Sequence, residues 1–202
     1  MANHYLAYLY RLQHIERWSL MRNTHPENVA EHSFHVSLIA HALGVIAREI
    51  FGRDIQPEQL AAYALFHDAA EVFTGDIPTP VKHQNPRILA NFREIEAMAS
   101  ERLLANVPEP LRGSYAPLLF RKPSDPELSK LLKAADLLDA YLKCTSEMSA
   151  GNREFATARK QVDEKLKQLE LPEVEWFLVH LAPSFAKTID ELSENEGDDV
   201  PS

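Results

Sequence analysis

A histidine and three acids stand in an otherwise small and apolar run, FHDAAEVFTGDIPTP, at residues 66–80. On a continuous α-helix, His67, Asp68 and Glu71 leave the axis at roughly 0, 100 and 40 degrees, so all three project through one arc of its surface. Burying such charges without partners would be strongly unfavourable. A metal cation removes the difficulty, because His67 and Asp68 can both ligate it while Glu71, about one turn away, holds a water beside it.

Such a site needs further ligands from other segments. Val29, His32, Val36, Ile39, Leu43, Ile46 and Ile50 recur at spacings of three and four up to Gly52, which turns His32 toward an interior. Downstream, Leu128, Leu131, Leu132, Ala135, Leu138 and Leu142 form a second stripe, with Asp136 at its edge and Asp139 near its middle. Periodicity does not choose between these two aspartates. Two imidazoles and two carboxylates suit a borderline divalent cation such as Mn, Co, Fe, Ni or Zn. The single cysteine, Cys144, excludes a cysteine-rich zinc site and an intramolecular disulfide. His35, His41 and His83 read as hydrogen-bonded core histidines.

His32, the adjacent pair His67 and Asp68, and Asp136 in KAAD resemble the H…HD…D signature of the HD-domain metal-dependent phosphohydrolases. Three longer stretches, LMRNTHPENVAEHS, HDAAEVFTGDIPTPVK and DAYLKC, are similar in order and spacing to the bacterial 5'-deoxynucleotidases of the YfbR type. The similarity runs over nearly the whole chain short of its acidic end. It implies a helical fold and a homodimer, and it favours Asp136 over Asp139 as the fourth ligand beside His32, His67 and Asp68. One divalent cation per subunit is implied, Co2+ or Mn2+ ahead of Zn2+, Fe2+, Ni2+ or Cu2+. The implied reaction is hydrolysis of deoxyribonucleoside 5'-monophosphates to nucleoside and phosphate. Glu71, Arg17 and Asp68 would serve catalysis, and the substrate would be met by Arg17, Trp18, His32, Asp68, Asp76, Ile77, Pro78, Thr79 and Asp136.

The residue chemistry is consistent with those roles. A carboxylate at Glu71 can orient or deprotonate a water, and the planar guanidinium of Arg17 can grip two phosphate oxygens where lysine cannot. The ring of Trp18 is expected against the sugar, where it would exclude a 2'-hydroxyl. Asp76 can accept a hydrogen bond from a 3'-hydroxyl common to all deoxynucleotides, so base preference should be loose. Pro78 and Pro80 stiffen the loop that carries it.

Around this constellation the sequence predicts an all-α fold, one HD-domain helical bundle over 1–192 with an acidic tail at 193–202. Gly is scarce, with 6 among 202 residues, and no strand-turn-strand signal occurs. Helices are expected near 3–19, 27–50, 57–73, 86–106, 109–119, 125–149, 152–169 and 173–192, with DELSENEGDDVPS from 190 onward disordered. A net charge of -9 disfavours large nucleic acids, whose affinity rests on basic side chains. No basic leader precedes the first apolar residues and no run approaches the ~20 apolar residues of a membrane span, which points to a cytoplasmic protein. Other HD hydrolases act on phosphodiesters or triphosphates, for which extra basic residues near the HD pair would be expected. A nucleotide-binding regulatory module without turnover is a further alternative, against which Glu71 and Arg17 argue.

Overall fold

Prolines and capping side chains decide where the helices begin. The computed structural model describes residues 3–82, 84–120 and 125–193. Short α1 (Tyr5–Leu9) tightens into a 3-10 turn over Tyr10–His14. The long α2 (Val29–Glu49) starts at Asn28, whose side chain accepts from the amides of Ala30 and Glu31 while Glu31 bonds back to the Asn28 amide. Pro57 opens α3 (Pro57–Leu65), followed by α4 (Glu71–Thr74) and α5 (Thr79–Lys82). Asn85 caps α6 (Pro86–Ala105), and α7 (Arg112–Leu119) follows a short 3-10 turn. Asp125 caps α8 (Pro126–Ser149), after which come α9 (Ala156–Gln168), α10 (Pro172–His180) and α11 (Ile189–Ser193).

The main core lies where α2, α3 and α8 meet. Val36, Leu43, Leu60, Ala64, Leu131, Ala135 and Leu138 are buried there, closed off by Leu166 of α9 and Phe177 of α10. Helices α2 and α3 approach so closely that a Cβ on Gly44 would sit 2.8 Å from the Pro57 Cα, which explains a glycine in mid-helix. A smaller cluster of Tyr5, Ala69, Leu103, Val107 and Leu119 joins α1, α6 and α7. Phe66 and Val72 pack against this second cluster, so the segment bearing His67 and Asp68 is held between two apolar masses.

Several expectations change. The helix expected over 3–19 ends at His14, because Ile15 and Glu16 turn extended, with Glu16 bridging to Asn28 and Ile15 accepting from the Val29 amide at 3.0 Å. The helix expected over 57–73 stops at Leu65, and His67 and Asp68 lie in a run of turns before α4. The stretch 173–192 divides into α10, a 3-10 turn over Ala182–Ala186 and α11, as the proline at 183 cannot continue the hydrogen-bond ladder. Asp190–Ser193, expected in the disordered tail, belongs to α11, and the rest of that tail lies outside the described residues. Helix α2 is long and apolar enough on average to cross a bilayer, although polar residues interrupt its apolar run, and half of its most apolar window is buried inside the protein. His35 and His41 are exposed rather than buried, being off the inward stripe of α2 that carries His32 and Val36; His83 lies outside the described residues.

Candidate metal centre

The turn carrying the HD pair owes its shape to a histidine competing with the backbone. The Ala64 carbonyl, which a continuous helix would give to the Asp68 amide, instead accepts from the His67 amide at 3.3 Å and from His67 Nδ1 at 2.7 Å. Bonds spanning three residues then continue from Ala69 to Phe66 and from Glu71 to Asp68. With about three residues per turn, side chains three positions apart fall on one face, which is the spacing of Asp68 and Glu71. The angular argument from a continuous α-helix therefore fails here, although Glu71 still emerges beside the pair.

With Nδ1 committed to a carbonyl, His67 is left with Nε2 for a ligand. His32, fully buried on α2, is oriented in the same way, its Nδ1 donating to Asp139 Oδ2 at 2.7 Å. The two Nε2 atoms face each other at 3.2 Å. Asp68 Oδ2 lies 3.4 Å from His32 Nε2 and 3.1 Å from His67 Nε2, and Asp136 Oδ1 lies 3.3 and 3.9 Å from the same two nitrogens. The donor atoms of His32, His67 and Asp68 all fall within 4.8 Å of one another.

Four electron-pair donors gathered so closely repel one another unless positive charge sits among them. The titration of His32 reports the same demand. Burial and the charge of Arg17 push its pKa down, but hydrogen bonding to Asp136, Asp139 and Asp68 outweighs both and lifts it well above the usual histidine value. Desolvation likewise opposes ionisation of Asp136, yet the bond to His32 and the charges of both imidazoles hold its pKa at about 2. A divalent cation fits this donor set of two nitrogens and two oxygens.

Asp139 is the residue that sequence reasoning left unranked. It is buried on α8, one turn beyond Asp136, and its Oδ2 takes both His32 Nδ1 and, at 3.4 Å, Arg17 Nη1. A carboxylate that fixes the tautomer of a ligand histidine is a recurrent partner at metal sites. Its sequence signals were the spacing of three from Asp136 and its place near the middle of the apolar stripe. Glu27, also missed, anchors the pair that precedes it in the chain: its Oε2 accepts from Arg17 Nη1 at 2.6 Å and from Trp18 Nε1 at 3.0 Å. That grip holds Trp18 at a φ of 56°, an unusual backbone state for so bulky a residue. Glu27, His35 and Asp139 also group within 4.8 Å, but Arg17 already pairs with both acids.

Arg17, Trp18, Asp76 and Pro78 line one cavity of about 250 Å³. Burial pushes the Asp76 carboxyl above its usual range, opposed by the nearby charges of Arg17 and Lys82. Ile77 is partly buried, and the Thr79 side chain lies outside the described residues. Glu71 is buried at the start of α4, with Lys82 Nζ 3.9 Å from its Oε1.

Comparison with known proteins gives the arrangement its context. Residues 4–185 match the family described as 5'-deoxynucleotidase YfbR-like. A 5'-deoxynucleotidase of Vibrio parahaemolyticus is 47% identical over 191 residues, covering 95% of this chain and 98% of that protein. The 5'-deoxynucleotidase YfbR of Escherichia coli is 43% identical over 193 residues, covering 96% and 97%. Among solved structures, an HD-domain phosphohydrolase from Listeria innocua superposes with a TM-score of 0.78 at 27% identity, covering 96% of this chain and 98% of that one. The cyanophage S-2L HD phosphohydrolase bound to dA and one catalytic Zn2+ ion superposes with a TM-score of 0.61 at 25% identity, covering 89% and 95%. With a family match that leaves out little beyond the two ends of the chain, and relatives alike over their whole lengths, the chain belongs to the YfbR-like 5'-deoxynucleotidase family of HD-domain phosphohydrolases.

Proposed function

We propose that the protein is a metal-dependent 5'-deoxynucleotidase, releasing phosphate from deoxyribonucleoside 5'-monophosphates. The observation that carries this reading is the gathering of His32, His67, Asp68 and Asp136 about one point, with Arg17 tied to the same cluster through Asp139 and lining the adjoining cavity. Names of close relatives and the nucleoside in the cyanophage structure support the substrate class.

His32, His67, Asp68 and Asp136 would hold the cation. Bound there, it supplies Lewis acidity toward the phosphoryl group and makes a water acidic enough to attack near neutral pH. Glu71, buried at the start of α4 three residues after Asp68, takes the proton of the attacking water. Arg17 presents its guanidinium to the phosphoryl oxygens while Asp139 and Glu27 hold it in place through Nη1. Trp18, locked by Glu27, forms the sugar wall that rejects a 2'-hydroxyl, and Asp76 accepts from the 3'-hydroxyl. Co2+ or Mn2+ is the proposed physiological ion, with Zn2+ the ion named in the cyanophage neighbour. The working form is proposed to be a cytoplasmic homodimer, for which exposed Phe34, Leu38, Leu181 and Phe185 offer apolar surface.

The decisive assay strips the protein of metal and offers dAMP, AMP and a nucleoside triphosphate with Mn2+, Co2+, Mg2+ or Zn2+ in turn. Activity that vanishes on stripping and returns as phosphate from dAMP is expected. Pyrophosphate or tripolyphosphate as product would move the protein to another HD activity, and absence of any product under all conditions would make it a binding module. In Trp18→Ala, preference for dAMP over AMP should shrink; unchanged preference removes the steric role of the ring.

A further inference from the structure

Glu27 and Asp139 each commit one carboxylate oxygen to the catalytic side. Glu27 Oε2 takes Arg17 and Trp18, and Asp139 Oδ2 takes His32 and Arg17. Among the described residues no hydrogen bond reaches the second oxygen of either acid. Asp139 Oδ1 has His35 Nδ1 at 3.6 Å, too far for such a bond. Both acids are more than nine-tenths buried, where an oxygen without a donor is unfavourable.

Both also line a second cavity, of about 450 Å³, which shares no residue with the one beside Arg17 and Trp18. His35 lines it too, from the exposed side of α2. One ligand atom from each of Glu27, His35 and Asp139 lies within 4.8 Å of the other two. Donors around a tetrahedral zinc ion stand about 3.4 Å apart. The set therefore closes on an ion by a small adjustment, which the half-exposed His35 ring is at liberty to make.

No other side chain of the cavity supplies a competing cation. Lys143 is already bonded to Glu147 and to the His25 carbonyl, and Glu31 adds a further negative charge. One imidazole and two carboxylates suit Zn2+, Co2+ or Mn2+ better than Mg2+, and three protein ligands leave a position open to the cavity.

We propose that Glu27, His35 and Asp139 form a second divalent-cation site, reached through its own cavity and distinct from the one at His32, His67, Asp68 and Asp136. Arg17 stands beside it and repels a cation, so it fills after the catalytic site. Its ligands are the two acids that hold Arg17, and an ion drawing on their charge loosens that hold. On the deoxynucleotidase reading, metal then activates with the first ion and restrains phosphate binding with the second. The site itself does not depend on that reading.

Equilibrium dialysis against Zn2+ tests the site in wild type, His35→Gln and His67→Gln. Wild type should bind two ions per chain, and His35→Gln should bind the second at least 10-fold more weakly. In His67→Gln the ion that depends on His35 should remain, and adding His35→Gln should remove it. Because Trp18 shares Glu27, tryptophan fluorescence should change with the second ion in wild type and not in His35→Gln. KM for dAMP should rise about 5- to 10-fold between one and two equivalents in wild type, with little change between them in His35→Gln. A wild type that stops at one ion, or a second ion indifferent to His35, would overturn the site. Fluorescence and KM that ignore the second ion would overturn its effect on Arg17. Should the protein release no phosphate at all, the ion count and the fluorescence still decide the proposal.

Discussion

Helix α8 carries two buried carboxylates, Asp139 and Glu147, two turns apart and both reaching toward the segment before α2. Glu147 is surrounded by donors committed to structure: the amide and hydroxyl of Thr24, the amide of His25, Lys143 Nζ and Asn152 Nδ2. Asp139 instead takes His32 and Arg17 and lies 3.6 Å from His35 Nδ1. One acid closes the 17–27 loop with backbone and hydroxyl donors, an amide and the lysine one turn before it on α8, and the other orients groups whose charge matters to chemistry. Equal burial thus hides different work, and the identity of the donors tells the two apart.

The largest expected effect lies at the structural acid. Glu147→Ala leaves the partly buried Lys143 with the His25 carbonyl as its remaining acceptor and deprives four further donors of theirs, and should lower unfolding stability by about 3 kcal/mol. A urea titration reads this, while metal content per folded molecule should stay at the wild-type value. Destabilisation below 1 kcal/mol would erase the distinction drawn between the two acids.

Asp139→Asn comes next. The amide can no longer hold His32 as a negatively charged partner, and metal affinity should fall about 10- to 100-fold. Competition with a chelator of known affinity measures it. The denaturation midpoint should move much less than in Glu147→Ala; the reverse ranking would mean that Asp139 serves mainly as a brace.

Acid separates the pair further. The Glu147 carboxyl lies well below its ordinary value of 4.5, because hydrogen bonds from Lys143, Thr24 and Asn152 outweigh the effect of burial. Its contribution to stability is complete above 4.5 and drains away as pH falls toward the folded-state value, at up to about 1.4 kcal/mol per pH unit. Thermal melts between pH 5 and 3 should therefore fall less steeply in Glu147→Gln than in wild type. Parallel curves would show that other carboxylates govern the acid limb.

The smallest effect concerns Cys144, on the same helix between the two acids. Burial pushes its thiol up to about 11, and it has no accessible surface. Thiol reagents at pH 8 should modify it only at the rate of unfolding, so Glu147→Ala should speed labelling where Asp139→Asn does not.

Much of this molecule could be read from local sequence. Asn28 with Glu31, Pro57, Asn85 with Pro86, and Asp125 with Pro126 mark helix starts that the structure places within two residues of the expected positions. The inward turn of His32 followed from the stripe around it. The HD segment was misread because the periodicity of its apolar residues fits a helix, while the bond from the His67 ring to Ala64 that breaks the helix leaves no mark in a pattern of apolar and polar letters.

The sequence alone determined the residue types available, the starts of the long helices and the inward face of α2, since these depend on groups three or four positions apart. The family resemblance already favoured Asp136 as the ligand; only the tertiary structure decided that Asp139 holds His32 from behind. His32 meets His67 across 35 positions and Asp139 across 107. Those meetings follow from how α2, α3 and α8 pack, and packing is settled by the shape of the whole core rather than by any neighbour in the chain.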